Sequence, residues 1–413
     1  MAKIADLAAK ITLTQAREVL WRCYNIEQAT GVRYTPMFIG APGNGKSSIV
    51  EQFTLELDAK LRENGGAGAI CVPFRLAQCD PTDLKGVPVY LELNGKKVCS
   101  YAPPRNIPLK GLPDSADGKF AVLFLDELPQ ALPTIQNLAS NIVDGKIGDY
   151  EIDFSRCFIV VAGNRKEDKA AVYDTPNNVR NRVDTLIVNI TFSEWETWAM
   201  DRGLSPFVIG YLKAHTEFFN MIPPDNGGAY ATPRVWEKVS CDIVTTGEQW
   251  GSSDATLPML VGLVGQGPAH DFYQFYTTTK DKYQLTDILK GKDLNVTEQD
   301  VIYRLIYEAV YWINTNIQPL IQKAAYLQAP PTEKAGVLDG LMLKADIVDG
   351  INNIYKWVDK DSIDPGFKVL LNKFQKRDIS QPLRTVFFHN KSLAPAWVAY
   401  NNILTKLQKA TGS

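Results

Sequence analysis

Apolar and polar positions change rhythm along the chain, and those changes mark its elements. Apolar residues recur at helical spacing over 16–24, and a short extended run covers 34–39. The loop Gly40-Ala41-Pro42-Gly43-Asn44-Gly45-Lys46-Ser47-Ser48 follows directly. Ile49, Val50, Phe53, Leu57 and Leu61 then return to a helical period, closed by Asn64-Gly65-Gly66. Residues 69–76 read as a second strand. Extended segments at 87–93 and 96–101 flank Asn94-Gly95, a strong hairpin signal. The run 120–125 is apolar throughout and ends in Asp126-Glu127, as a strand buried on both faces would. A helix over 135–142, a hairpin arm at 150–154, and buried strands at 158–162 and 185–190 complete an alternation of strands and helices. That alternation predicts an α/β fold with a mainly parallel sheet.

Beyond Phe192 the strand signals fade. Helices are expected over 195–202, 206–219, 233–246, 301–313, 338–357 and 397–407, with Pro330-Pro331 as a break. No repeat of fixed period and no low-complexity segment is present.

Composition narrows the class. A chain of 413 residues suits two or three domains. Its 45% apolar and 22% charged content is that of a globular protein, which confines expected disorder to 409–413. The formal net charge of -2 argues against a large basic surface for nucleic acid. The six cysteines form no CxxC pair and there are three histidines, so a structural zinc site is not expected. Cys71, Cys157 and Cys241 lie in or beside apolar runs and are expected in the core. The N-terminus lacks a signal-peptide pattern and no apolar run is long enough to span a membrane, so a cytoplasmic location is expected.

The chemistry lies at strand ends. Gly40-x4-Gly45-Lys46-Ser47 matches the phosphate-binding P-loop pattern in its required strand, loop and helix context. Glycines let backbone N–H groups turn toward phosphate oxygens, and the helix N-terminus adds partial positive charge. Lys46 can reach the β- and γ-phosphates of ATP, and the Ser47 hydroxyl can ligate Mg²⁺. Asp126 ends a buried strand, where it can hold Mg²⁺ through water, and Glu127 is placed to polarise an attacking water. Asn164, at the end of the strand 158–162, can orient that water; its alternative is a turn cap. Arg180 and Arg182 precede the last strand. An arginine there can cross to the γ-phosphate of a neighbouring subunit, and Arg182 is the preferred candidate. Arg234 follows Pro233 in the first turn of a helix, directed toward the nucleotide.

Together these segments resemble the AAA+ superfamily of P-loop NTPases and, within it, the MoxR-like ATPases. The resemblance covers about residues 30–245. It rests on the 40–48 loop, Asp80-Pro-Thr-Asp-Leu-Lys-Gly86, the stretch from Leu123 to Gly148, Ala162-Gly-Asn-Arg165 and Asn181-Arg182-Val183. It implies a large α/β nucleotide-binding domain over 1–193 with an inserted β-hairpin at about 87–101, and a helical lid over 194–290. It leaves a helical C-terminal region, 291–413, without a role. It further implies a homo-oligomeric ring, usually a hexamer, that acts on a protein client and often works beside a von Willebrand A domain protein. The divergent C-terminal third also fits a phage-encoded member. Two other functions remain open on the residues alone. A nucleic-acid motor or loader would use Lys96-Lys97 on phosphates, and a nucleotide-gated scaffold would bind ATP without significant turnover.

Overall fold

The computed structural model describes residues 9–165, 172–222, 227–326, 344–360 and 391–411. The chain divides into two compact units, Met1–Glu194 and Trp195–Ser413.

In the first unit six strands form one sheet: β1 (Ala9–Ile11), β2 (Pro36–Ile39), β3 (Ala69–Arg75), β6 (Phe120–Asp126), β9 (Cys157–Gly163) and β10 (Asp184–Val188). Their order is β1-β10-β2-β9-β6-β3 and every pairing is parallel. Helices α1 (Leu13–Thr30), α2 (Lys46–Glu63), α3 (Pro81–Lys85), α4 (Pro133–Val143) and α5 (Asn177–Arg180) connect the strands. The α/β fold with a parallel sheet expected from the alternation is therefore present.

The uninterrupted apolar runs have a simple cause. Successive residues of a strand face opposite sides, and both sides of this sheet are covered. Val122, Phe124, Phe158 and Val160 pack with Leu20, Tyr24, Phe53 and Leu57 of α1 and α2. Ala121, Leu123, Leu125, Ile159 and Val161 pack with Leu84 of α3 and Ile135, Ala139 and Ile142 of α4. Edge-to-face contacts of Tyr24 with Phe53, Phe120 and Phe158 tie the first layer together. Helix α1 begins at a capping box between Thr12 and Gln15 and ends where Gly31 turns left-handed at φ 70°. Strand β1 carries no signal of its own: three residues are too few to display a period, and pairing with β10 makes them a strand.

Two small hairpins project from this core. Strands β4 (Val87–Leu93) and β5 (Lys96–Ala102) pair through a turn in which Asn94 and Gly95 both have positive φ, 52° and 72°. The alternation in β4 leaves room for one face to pack on the core, but the two strands form a separate sheet. Val87, Tyr90 and Leu91 are 60%, 78% and 48% exposed. Both faces of the main sheet are already covered by helices and loops. Strands β7 (Lys146–Ile147) and β8 (Tyr150–Glu151) form the second hairpin, shorter than the 150–154 arm expected. Its Gly148 turn sits against the base of the first, where an added Cβ would lie 3.2 Å from the Lys85 carbonyl oxygen.

Helix α6 (Phe192–Asp201) leads into the second unit. It continues with α7 (Pro206–Ala214), α8 (Pro233–Thr246), α9 (Thr256–Val264), α10 (Gln266–Thr279), α11 (Leu285–Leu289) and α12 (Gln299–Tyr326). Helices α13 (Ala345–Val358) and α14 (Ala394–Thr411) complete the described part. The helix expected over 206–219 stops at Ala214, and a short 3₁₀ turn, Thr216–Phe218, follows. Helices α9 and α10 escaped periodicity: Thr256–Val264 is apolar on most of its circumference, and α10 opens on Gly267-Pro268. Helix α12 runs well past Ile313, and α14 extends through 409–411, where disorder was expected. Residues 338–343 and 412–413, and the Pro330-Pro331 break, lie outside the described residues.

The second unit is held by close helix crossing and a buried polar set. A Cβ on Gly210 of α7 would lie 2.6 Å from the Arg304 backbone nitrogen of α12. Glu196 is fully buried; Lys213 approaches it at 3.0 Å, and the Tyr307 hydroxyl donates to its carboxylate. Cys157 is buried as expected, whereas Cys241 is exposed. The core face of α8 is Trp236, Val239, Ser240 and Ile243, and Cys241 falls off it by one residue. Among the described residues no helix is long and apolar enough to cross a membrane.

Candidate functional site

The site lies at the C-terminal ends of three adjacent parallel strands, β2, β9 and β6, the edge where ligands of open α/β sheets bind. Strand β2 is buried and delivers the loop 40–45. Gly40 donates its N–H to Gly163 O at 3.2 Å, and a Cβ at Gly40 would meet Val188 O at 2.6 Å. Gly43 and Gly45 have φ of 79° and 77°, which L side chains rarely adopt. Gly45 is the N-cap of α2 and supplies no side-chain cap, so the first-turn N–H groups lack that competitor for an anion. Ala41 and Pro42 are half-buried, Asn44 is buried, and Ser48 lies exposed on the first turn of α2.

Lys46 is 7% exposed. Its Nζ donates to Gly40 O at 2.7 Å, Ala41 O at 2.9 Å and Asn164 Oδ1 at 3.0 Å. The Ser47 hydroxyl donates to Asp126 Oδ2 at 3.1 Å, while Asp126 Oδ1 accepts the Glu127 N–H at 2.9 Å. Glu127 sits in the left-handed region, φ 60° and ψ 30°, which turns the chain sharply out of β6. Its carbonyl accepts the N–H groups of Gln130 and Ala131 at 3.0 and 3.1 Å. Thus Lys46, Ser47, Asp126 and Asn164 meet from three separate segments, with Glu127 next in the chain to Asp126. The paired hydroxyl and carboxylate oxygens form the hard, oxygen-only donor set that suits Mg²⁺.

The arginines are placed differently. Arg182 lies next to strand β10, and its guanidinium bonds Asp144, the residue that closes α4, and the Asn178 carbonyl. Arg180 ends α5 and is exposed. Arg234 belongs to the second unit. It is exposed on the first turn of α8, where Thr232 caps the helix and Pro233 opens it. Asp144 and Gln130 carry no sequence signal: an acidic residue after a helix and a glutamine in a turn are ordinary surface residues.

No family model and no curated protein matches the sequence. Among solved structures, the chain is similar to PCH-2 of C. elegans, with a TM-score of 0.30 and 10% identity over 65% of this chain and 69% of that one. It is also similar to the RuvB Holliday junction branch migration motor of Thermotoga maritima, with a TM-score of 0.30 and 11% identity over 67% and 74%. The fold is defined by the chain's own parallel sheet order, β1-β10-β2-β9-β6-β3.

Proposed function

We propose that this chain is a MoxR-like AAA+ ATPase that hydrolyses ATP in an oligomeric ring to remodel or activate a protein partner. The observation that carries the proposal is the convergence of Lys46, Ser47, Asp126 and Asn164 at the ends of β2, β9 and β6. The loop 40–48 cradles the phosphates, with Lys46 on the β- and γ-phosphates. Ser47 and Asp126 hold Mg²⁺, which supplies charge neutralisation on the phosphates. Glu127 takes the proton from the attacking water, and Asn164 orients that water. Arg182 crosses to the γ-phosphate of a neighbouring subunit, exchanging the Asp144 carboxylate for phosphate. Residues 194–290 act as the helical lid, whose helix α8 carries Arg234 on its first turn. The exposed β4–β5 hairpin contacts the client.

The test is steady-state ATP hydrolysis with and without Mg²⁺, together with a pull-down from cell extract on the Glu127→Gln chain loaded with ATP. The proposal expects Mg²⁺-dependent turnover that rises with protein concentration, and ATP-dependent capture of a protein. Tight ATP binding without turnover would identify a scaffold. Turnover driven by DNA and lost steeply with salt would identify a nucleic-acid motor.

A further inference from the structure

The turn after Glu127 is built into the strand that carries Asn164. Leu128–Gln130 is a single 3₁₀ turn, anchored at its start by the Glu127 carbonyl. Pro129 of this turn lies on Gly163 so closely that a Cβ there would stand 2.1 Å from Pro129 Cδ. The next side chain, Gln130, turns its amide oxygen to the Asn164 N–H at 3.3 Å. Asn164 in turn presents Oδ1 to Lys46. One three-residue turn therefore connects the two residues that must address the same water.

We infer that Gln130 is a positioning residue for ATP hydrolysis: its amide oxygen holds the Asn164 backbone, which sets Asn164 relative to Glu127. The inference rests on the ATPase reading and deepens it. The physical case is one of direction and precision. The Asn164 N–H lies at the end of β9, where the sheet ladder stops, and Gln130 supplies the acceptor that the ladder no longer does. A reacting group displaced by about 1 Å can lose on the order of 10² in rate, so an anchor on its backbone acts on turnover. Lys46 keeps two other acceptors, Gly40 O and Ala41 O, so its phosphate contact does not depend on this anchor.

The predicted signature is a split between turnover and binding. Gln130→Leu and Gln130→Met both remove the acceptor at similar volume. Each is expected to lower kcat about 10-fold or more while leaving KM and the affinity for a fluorescent ATP analogue within about 2-fold. Asn164→Ala supplies the reference loss, and the Gln130→Leu/Asn164→Ala double variant should be no slower than Asn164→Ala alone. Amide hydrogen exchange at Asn164 should accelerate in both Gln130 variants at unchanged melting temperature. Wild-type kcat in both folded variants overturns the inference and leaves the ATPase reading intact. Losses that multiply with Asn164→Ala, or a loss confined to KM, also overturn it. A wild-type chain that binds ATP but does not hydrolyse it overturns the ATPase reading and this inference with it.

Discussion

Lys46 Nζ donates to Oδ1 of Asn164 at 3.0 Å across 118 positions of sequence, joining the 40–45 loop to the end of β9. The same ammonium holds two loop carbonyls, and on the proposed function an arriving triphosphate would exchange these acceptors for its own oxygens. Lys46→Ala removes a charge-assisted donor. It should lower ATP affinity by about 10²-fold or more, read by titration with a fluorescent analogue. Affinity equal to wild type would remove the nucleotide site from this loop.

Glu127 follows Asp126 in a left-handed turn, with the Asp126 carboxylate accepting its N–H. Gln at this position preserves shape and removes the carboxylate proposed as the base. Turnover should fall at least about 10²-fold with ATP binding retained. A Glu127→Gln chain that still turns over near the wild-type rate would show that another group takes the proton.

Arg182 bonds Asp144 within its own chain. If it serves a neighbour, Arg182→Ala should lower ATPase activity of the assembled protein on the order of 10³-fold. Arg180→Ala should change it little. Mixing Arg182→Ala chains with Glu127→Gln chains should restore activity, because each supplies what the other's interface lacks. No recovery in mixed assemblies, with both variants the same size as wild type, would place Arg182 in a purely internal role.

Glu27 of α1 is 6% exposed, and burial pushes its carboxyl up to about 7, against smaller lowering effects from the Tyr34 backbone N–H and Arg33. The folded chain therefore binds this proton more tightly than the unfolded chain, whose carboxyl titrates near 4.5. Stability falls as pH rises from about 4.5 to 7, and the cost is fully present above 7. Glu27→Gln should stabilise the first unit by about 1–3 kcal/mol at pH 8 and by almost nothing below pH 4.5. Urea midpoints measured at both pH values check this; a gain of equal size at both would point to packing instead.

Much of the site was legible in one dimension because its parts are local. A phosphate loop needs a strand, two glycines able to take positive φ and a helix start, and all lie within Pro36–Lys46. The Asp126-Glu127 pair and Asn164 could be placed because buried parallel strands are apolar along their whole length and change character where they end. What the tertiary structure alone decided are relations between distant segments. Sheet order puts β9 between β2 and β6, which brings Asn164 to Lys46. It makes β1 a strand, gives Arg182 an internal carboxylate and sets Gln130 on the Asn164 backbone. It leaves Val87, Tyr90 and Leu91 of the β4–β5 hairpin exposed. Periodicity reports which side of an element is apolar. Which partner meets that side, or whether any does, depends on how the other elements have filled the available faces, and that is a property of the packed chain.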